Sequence, residues 1–180
     1  MNNEQIKYSL ENRELKLSNW EKFSHYGIVG FCFIIPLTFI FLHLKDYFEN
    51  TPKPIRSGEI WFFIIPTLIG IWFYYIQKKR LKFKEVNTSL NRTELNKIIE
   101  KVANELEWTL NLTKSKIIVA KTHPSFLSGS WGEQITILFD NRKVLVNSIC
   151  DPDKKSSLVS MGRNKQNENK LIKEIEKASR

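Results

Sequence analysis

Two stretches of the chain are apolar without interruption. Residues 27–44, GIVGFCFIIPLTFIFLHL, hold no Asp, Glu, Lys or Arg over 18 positions, and residues 60–76, IWFFIIPTLIGIWFYYI, hold none over 17. At about 1.5 Å per helical residue each reaches roughly 25–27 Å, close to the hydrocarbon thickness of a bilayer. A buried hairpin of a soluble core would carry a polar stripe where its helices meet water, and neither stretch has one. The pattern therefore predicts a transmembrane helical hairpin over 27–77, with residues 45–58 as its outer loop. A cleaved signal peptide fits the first stretch poorly. It begins after 26 ordinary residues, exceeds a typical signal core, and is followed by Lys45-Asp46-Tyr47 rather than small residues.

Aromatic residues gather at the ends of both stretches: Trp20, Phe23 and Tyr26, then Tyr47 and Phe48, then Trp61, then Trp72, Tyr74 and Tyr75. That distribution matches interfacial belts. Phe-Ile-Ile-Pro occurs twice, at Phe33–Pro36 and Phe63–Pro66, placing one proline in each arm. It reads either as a gating hinge, with Thr38 or Thr67 re-satisfying the freed carbonyl, or as the ordinary tolerance of spans for proline. Neither arm carries an internal charge, which argues against a proton pump, voltage sensor or ion-coupled transporter.

Beyond the second stretch the pattern becomes that of a soluble domain over 93–180. Leu95, Ile98, Ile99, Val102, Ala103 and Leu106 recur at helical spacing, with Thr93 available as cap. The period then changes to two. Trp108, Leu110 and Leu112 alternate with polar residues, and KIIVAKT (116–122) is β-branched. QITILF (134–139) and VLVNSI (144–149) flank Asp140-Asn141-Arg142-Lys143, which suits a tight reversal. A helix with a narrow stripe of Leu171, Ile172 and Ile175 follows over 164–179. The predicted domain is α+β, an antiparallel four-stranded meander flanked by two helices in the order α-β-β-β-β-α. Residues 1–26, with Ile6, Leu10 and Leu17 among balanced charges, predict an amphipathic helix on the inner membrane face.

Charge refines this picture. The chain carries 28 Lys and Arg against 19 acids, and residues 1–77 are balanced at seven and seven, so the whole excess is C-terminal. Five cations, Lys78, Lys79, Arg80, Lys82 and Lys84, fall within seven positions. They predict a basic juxtamembrane linker over 78–92, in contact with anionic lipid headgroups, and cytoplasmic termini. The same cluster makes lipid a nearer partner than nucleic acid. The N-x-[ST] triplets at Asn87, Asn91 and Asn111 then lie on the cytoplasmic side and are chance matches.

Chemistry has three places to reside: 123–132 (HPSFLSGSWG), 147–153 (NSICDPD) and 156–164 (SSLVSMGRN). In the first, Phe126, Leu127 and Trp131 must tuck under the sheet or face the membrane. In the second, Cys150, Asp151 and Asp153, with His123 or Glu133 as partner, offer a hydrolase or transferase reading, against a core cysteine followed by turn residues. One histidine in the domain and two distant cysteines, Cys32 and Cys150, give neither a metal set nor a disulfide framework. In the third, Ser156, Ser157, Ser160, Gly162, Arg163 and Asn164 lead into the last helix. Hydroxyls, helix-start amides and a guanidinium there could converge on an anion, or simply cap the helix. No nucleotide-binding, zinc-protease, α/β-hydrolase or kinase motif occurs, and no cofactor is implied.

The strings WGEQITILFD, VLVNSICDPD and SMGRN within 131–164 resemble the tail of small bacterial two-span membrane proteins with a soluble α+β C-terminal domain. That resemblance implies a bacterial inner-membrane setting and brings no activity. Bacterial pleckstrin-homology-like proteins also pair a hairpin with a β-rich domain, but theirs look like seven strands plus one helix, a departure from the pattern here. The expectation is a multi-pass membrane protein that tethers a cytoplasmic binding domain, with a protein partner or a second copy of itself also open. A small oligomeric pore would need a polar stripe beyond Thr38 and Thr67.

Overall fold

A computed structural model describes residues 1–124, 130–154, 157 and 160–180. The chain divides into two compact units: Met1–His25 together with Lys79–Arg180, and Tyr26–Lys78.

The first unit is α+β. Its sheet has five antiparallel strands rather than four: β1 (Lys84–Asn87), β2 (Trp108–Lys114), β3 (Ile117–Thr122), β4 (Glu133–Asp140) and β5 (Lys143–Cys150), in the spatial order β1-β5-β4-β3-β2. The meander of β2 to β5 is the one the period-two pattern predicts. The additional strand lies inside the stretch expected to be a basic linker, pairing Lys84 with Val146 and Val86 with Val144. Charges at Lys84 and Glu85 hide its alternation from the sequence, and charges of this kind suit a sheet edge because they discourage further strand addition.

Cross-strand partners share a face, so the register sorts the side chains. Ile118, Ala120, Ile135, Ile137, Val144 and Val146 form one buried surface. Against it pack α5 (Arg92–Glu105), through Leu95, Ile99, Val102 and Ala103, and α6 (Arg163–Ala178), through Leu171 and Ile175. The cap of α5 is Asn91 in a box with Glu94, not Thr93: the Asn91 side chain accepts from Glu94 N and the Glu94 carboxylate accepts from Asn91 N. The opposite face buries Ile117, Val119, Leu138, Leu145 and Ile149. Here α1 (Asn3–Asn12) docks beside β4, with Ile6, Leu15 and Leu17 buried. The N-terminal helix expected to lie on a membrane instead covers the sheet. It is fixed by Leu15 N to Leu81 O (2.8 Å), Phe83 N to Arg13 O (2.9 Å) and the Arg13–Asp140 ion pair (2.9 Å). The segment before α2 and the segment after α4 thus form a two-stranded clasp around Glu14 and Lys82.

In the second unit the chain runs through most of α2 (Asn19–Cys32), α3 (Ile34–Phe48) and most of α4 (Glu59–Arg80). Helix α4 is long and apolar enough to cross a membrane, and α2 and α3 pass the same test only as a pair bent by 55°. The first stretch, expected as one helix over 27–44, is therefore broken at Phe33. Pro36 cannot donate to the Cys32 carbonyl, and Gly30, one turn earlier, lets Phe33 N close a tight turn on its carbonyl (3.0 Å). The same tetrapeptide in α4 leaves the helix continuous, and there Ile60 stands where Gly30 stands in the first copy. The threonines do not re-satisfy the freed carbonyls. Thr38 and Thr67 donate to Ile34 O (2.9 Å) and Phe63 O (2.6 Å), two residues beyond the freed Cys32 carbonyl in the first arm and one beyond the freed Phe62 carbonyl in the second. At Gly70 an added Cβ would stand 2.8 Å from the Phe33 ring, so this glycine lets the bend approach α4 closely.

Candidate functional site

The two long loops of the first unit leave the same end of the sheet, after β3 and after β5, and a polar cluster lies beneath them. Its centre is Glu133, wholly buried at the start of β4. Opposite it across the sheet stands Cys150, and Thr122 ends the neighbouring strand. Thr122 Oγ1 donates to Glu133 Oε2, Ser130 Oγ donates to Oε1 (2.5 Å), and Arg163 Nε lies 3.2 Å from Oε2. Three donors on one carboxylate are what an ionised group needs in order to be tolerated out of water. Glu133 N in turn donates to Thr122 Oγ1 (2.8 Å). Gly132 adopts φ +115°, and a Cβ there would stand 2.8 Å from the Thr122 carbonyl oxygen. Gly132→Ala is expected to cost about 2 kcal/mol, through backbone strain and this contact with main chain, measured as a lowered unfolding midpoint. An unchanged midpoint would show that the loop end is free to shift.

A second chain of hydrogen bonds runs from β2 to β5. Trp108 Nε1 donates to Asn167 Oδ1 (3.2 Å), Asn167 Nδ2 to Ser148 Oγ (3.2 Å), Ser148 Oγ to Asn164 Oδ1 (3.1 Å), and Asn164 Nδ2 to Cys150 Sγ (3.9 Å). Glu168 accepts from Ser148 N (3.0 Å) and pairs with Lys84 (2.9 Å). On the other face Asn147 Nδ2 reaches the carbonyls of Arg80 (2.7 Å) and Lys82 (3.1 Å), tying β5 to the end of α4.

These contacts redistribute the residues singled out from sequence. Of the five juxtamembrane cations, Lys78, Lys79 and Lys82 are exposed, Arg80 is half-buried, and Lys84 is held by Glu168 and by Asn169 Oδ1 (2.8 Å). Of the anion candidates, Ser156 lies outside the described residues, as do Phe126 and Leu127. Gly162, in a left-handed conformation, is the residue that caps α6, so neither a serine nor Asn164 does. Ser160 is buried, Arg163 is taken up by Glu133, and Asn164 turns inward to Ser148 and Cys150. The grouping serves to lock the start of α6 onto the sheet.

The hydrolase reading meets a similar outcome. Burial pushes the Cys150 thiol up, and the Glu133 charge adds to this. Arg80 and hydrogen bonds from Asn164 and Ser157 pull the other way without prevailing. A thiolate is thus disfavoured where a nucleophile would need it. His123 is exposed at the end of β3. Asp151 and Asp153 both bind Lys121 Nζ, at 2.8 and 2.5 Å. Among the described residues no group of three His, Cys, Asp or Glu is placed to hold a metal ion.

What this end of the unit presents to solvent includes apolar side chains. Trp131 and Met161 are exposed on the two loops, and Trp20 and Phe23 are exposed and stacked 5.7 Å apart at the start of α2. Ser24 Oγ, one turn along from Trp20, donates to Lys154 O (3.2 Å) in the loop after β5. Sequence reasoning missed Lys121, Asn147 and Asn167. The available signal was polar residues within otherwise apolar strands, at Gln134, Thr136, Asn147 and Ser148.

The fold and site define an α+β unit whose polar cluster is structural, with an apolar rim around it. No family model, curated protein or solved structure matches the chain.

Proposed function

We propose that the chain is an integral membrane protein in which α2–α3 and α4 form a two-span hairpin. It tethers the α+β unit to the inner face of the membrane as a binding module, with both termini cytoplasmic. One observation carries this reading: only 6% of the most apolar 18-residue window of α4 is buried. A core helix of a soluble protein would be mostly covered. Every exposed large hydrophobic side chain among the described residues lies between Trp20 and Tyr75, except Leu110, Trp131 and Met161. That concentration far exceeds the scattered apolar surface of a soluble monomer and supports a lipid environment. The cationic Lys78, Lys79 and Lys82, free at the surface, support the orientation and contact with anionic headgroups. The bend at Phe33 is compatible with a span, because tolerated prolines commonly kink membrane helices.

The rim of Trp131 and Met161 supports a binding role for the loop end, facing either headgroups or a partner protein. The buried Cys150 and the paired aspartates give the enzymatic alternative no comparable support.

The full chain is expected to stay in the pellet through an alkaline carbonate wash. A C-terminal green fluorescent fusion should be bright, and alkaline phosphatase inserted between Asn50 and Gly58 should be active. Release by carbonate would overturn the membrane reading. A dark C-terminal fusion, with phosphatase active there, would reverse the orientation.

A further inference from the structure

The second unit contains a cavity that the tether role does not use. It lies between α3 and α4, has a volume of about 690 Å³, and opens toward the connecting loop. Its lining is largely apolar, with Ile35, Phe39, Leu42 and Phe62 beside His43, and it is an open groove in which Ile35, Leu42 and Phe62 are themselves exposed. Thr38 is also in the wall, but its hydroxyl is spent on the Ile34 carbonyl. The mouth differs in character. There Asp46 and Glu59 stand with Lys53 and Arg56: Lys53 Nζ lies 3.4 Å from Asp46, and Arg56 Nε lies 4.0 Å from Glu59. Both cations are mostly exposed and free to reach outward.

Resting on the membrane reading, we propose that this groove binds one zwitterionic phospholipid, with an acyl chain along the apolar wall and its headgroup at the charged mouth. The volume suits a small-molecule site, and the division into apolar wall and polar rim is that of an amphiphile. Charge selects the headgroup. Two cations receive the phosphate and two carboxylates receive the ammonium of a phosphoethanolamine. A purely anionic headgroup would gain at Lys53 and Arg56 and lose at Asp46 and Glu59. A helix from a second copy is the poorer occupant, because covering the mouth would take the Lys53–Asp46 and Arg56–Glu59 ion pairs out of water, whereas a headgroup leaves them in the hydrated interface.

The test is native mass spectrometry of the full chain, extracted in mild detergent from vesicles of equimolar phosphatidylethanolamine and phosphatidylglycerol. One phosphatidylethanolamine per chain is expected to be retained. Leu42→Trp, which fills the groove, should lose it, and Asp46→Asn with Glu59→Gln, which removes the acceptors for the ammonium and leaves the walls intact, should abolish the preference for phosphatidylethanolamine. Retention of phosphatidylglycerol to the same extent, retention unaffected by Leu42→Trp, or a lipid-free dimer that Leu42→Trp breaks would each overturn the proposal. A carbonate wash of each variant accompanies the measurement. If the wild-type chain is released, the membrane reading fails; if every variant stays in the pellet and no lipid is retained, only the lipid site does.

Discussion

Lys121→Met is expected to cost about 4 kcal/mol of stability, read from chemical unfolding of the detergent-solubilised chain by tryptophan fluorescence. The Asp151 side chain is only 2% exposed and that of Lys121 15%, so the ammonium is what compensates a carboxylate held out of water. Without it, Asp151 keeps, among the described residues, the hydrogen bond from Asp153 N (3.1 Å) to its side chain. The outer partner, Asp153, is 63% exposed, and its contact contributes little. Lys121→Met combined with Asp151→Leu should recover most of the loss, because the pair leaves together. If the double variant is as unstable as the single, the charge is not the cause. The pair also sets a pH limit. Burial works to lower the Lys121 pKa, but hydrogen bonds to Asp151 and Asp153, together with their charges, outweigh it and hold the group above an ordinary lysine. On the alkaline side its contribution is therefore present up to the usual lysine range and is lost as pH rises through the higher folded value, so the Lys121→Met penalty should shrink in strong alkali.

Arg163→Ala should cost about 3 kcal/mol in the same measurement. Glu133 is wholly buried and, among the described residues, would keep two hydroxyl donors but lose its ion-pair partner. The loss is smaller than at Lys121 because the Arg163 side chain is 30% exposed and water already screens part of the attraction. Adding Glu133→Gln removes the stranded charge and should restore much of the stability. A wild-type midpoint for Arg163→Ala would show that the hydroxyls alone suffice. From sequence, this arginine was a candidate for holding an anion at the start of the last helix. Its contact with Glu133 means that any change in binding in this variant must first be separated from unfolding.

The strands were legible because each buried face repeats every second residue: KIIVAKT, QITILF and VLVNSI fall on β3, β4 and β5 within a residue or two. The apolar stripe of α5 was equally plain. Strand β1 was not, since the Lys84-Glu85 doublet puts Val86 out of phase with the alternation of Leu81 and Phe83, and its partner lies about 60 residues away. The role of α1 was hidden for the same reason, since Ile6 and Leu17 look like a membrane-lying face until a sheet is available to receive them. The candidate site was legible in location but not in use. Its loops and the start of α6 stood out by composition, whereas the partners that commit Arg163, Asn164 and Lys84 come from strands and turns distant in sequence.

The clasp between residues 13–15 and 81–83 closes an α+β unit that is discontinuous in sequence, with Tyr26–Lys78 inserted within it. On a ribosome the first 25 residues therefore emerge long before their binding surface. Arg13 waits for Asp140 and α1 for β4, while β1 waits for β5. The unit closes only after the hairpin has been made and nearly the whole chain has followed, a distant pairing that slows folding. A fragment beginning after the hairpin would lack the cover of Ile6, Leu15 and Leu17 over one sheet face. The piece to express on its own is a splice of residues 1–25 to 79–180 across a short flexible linker.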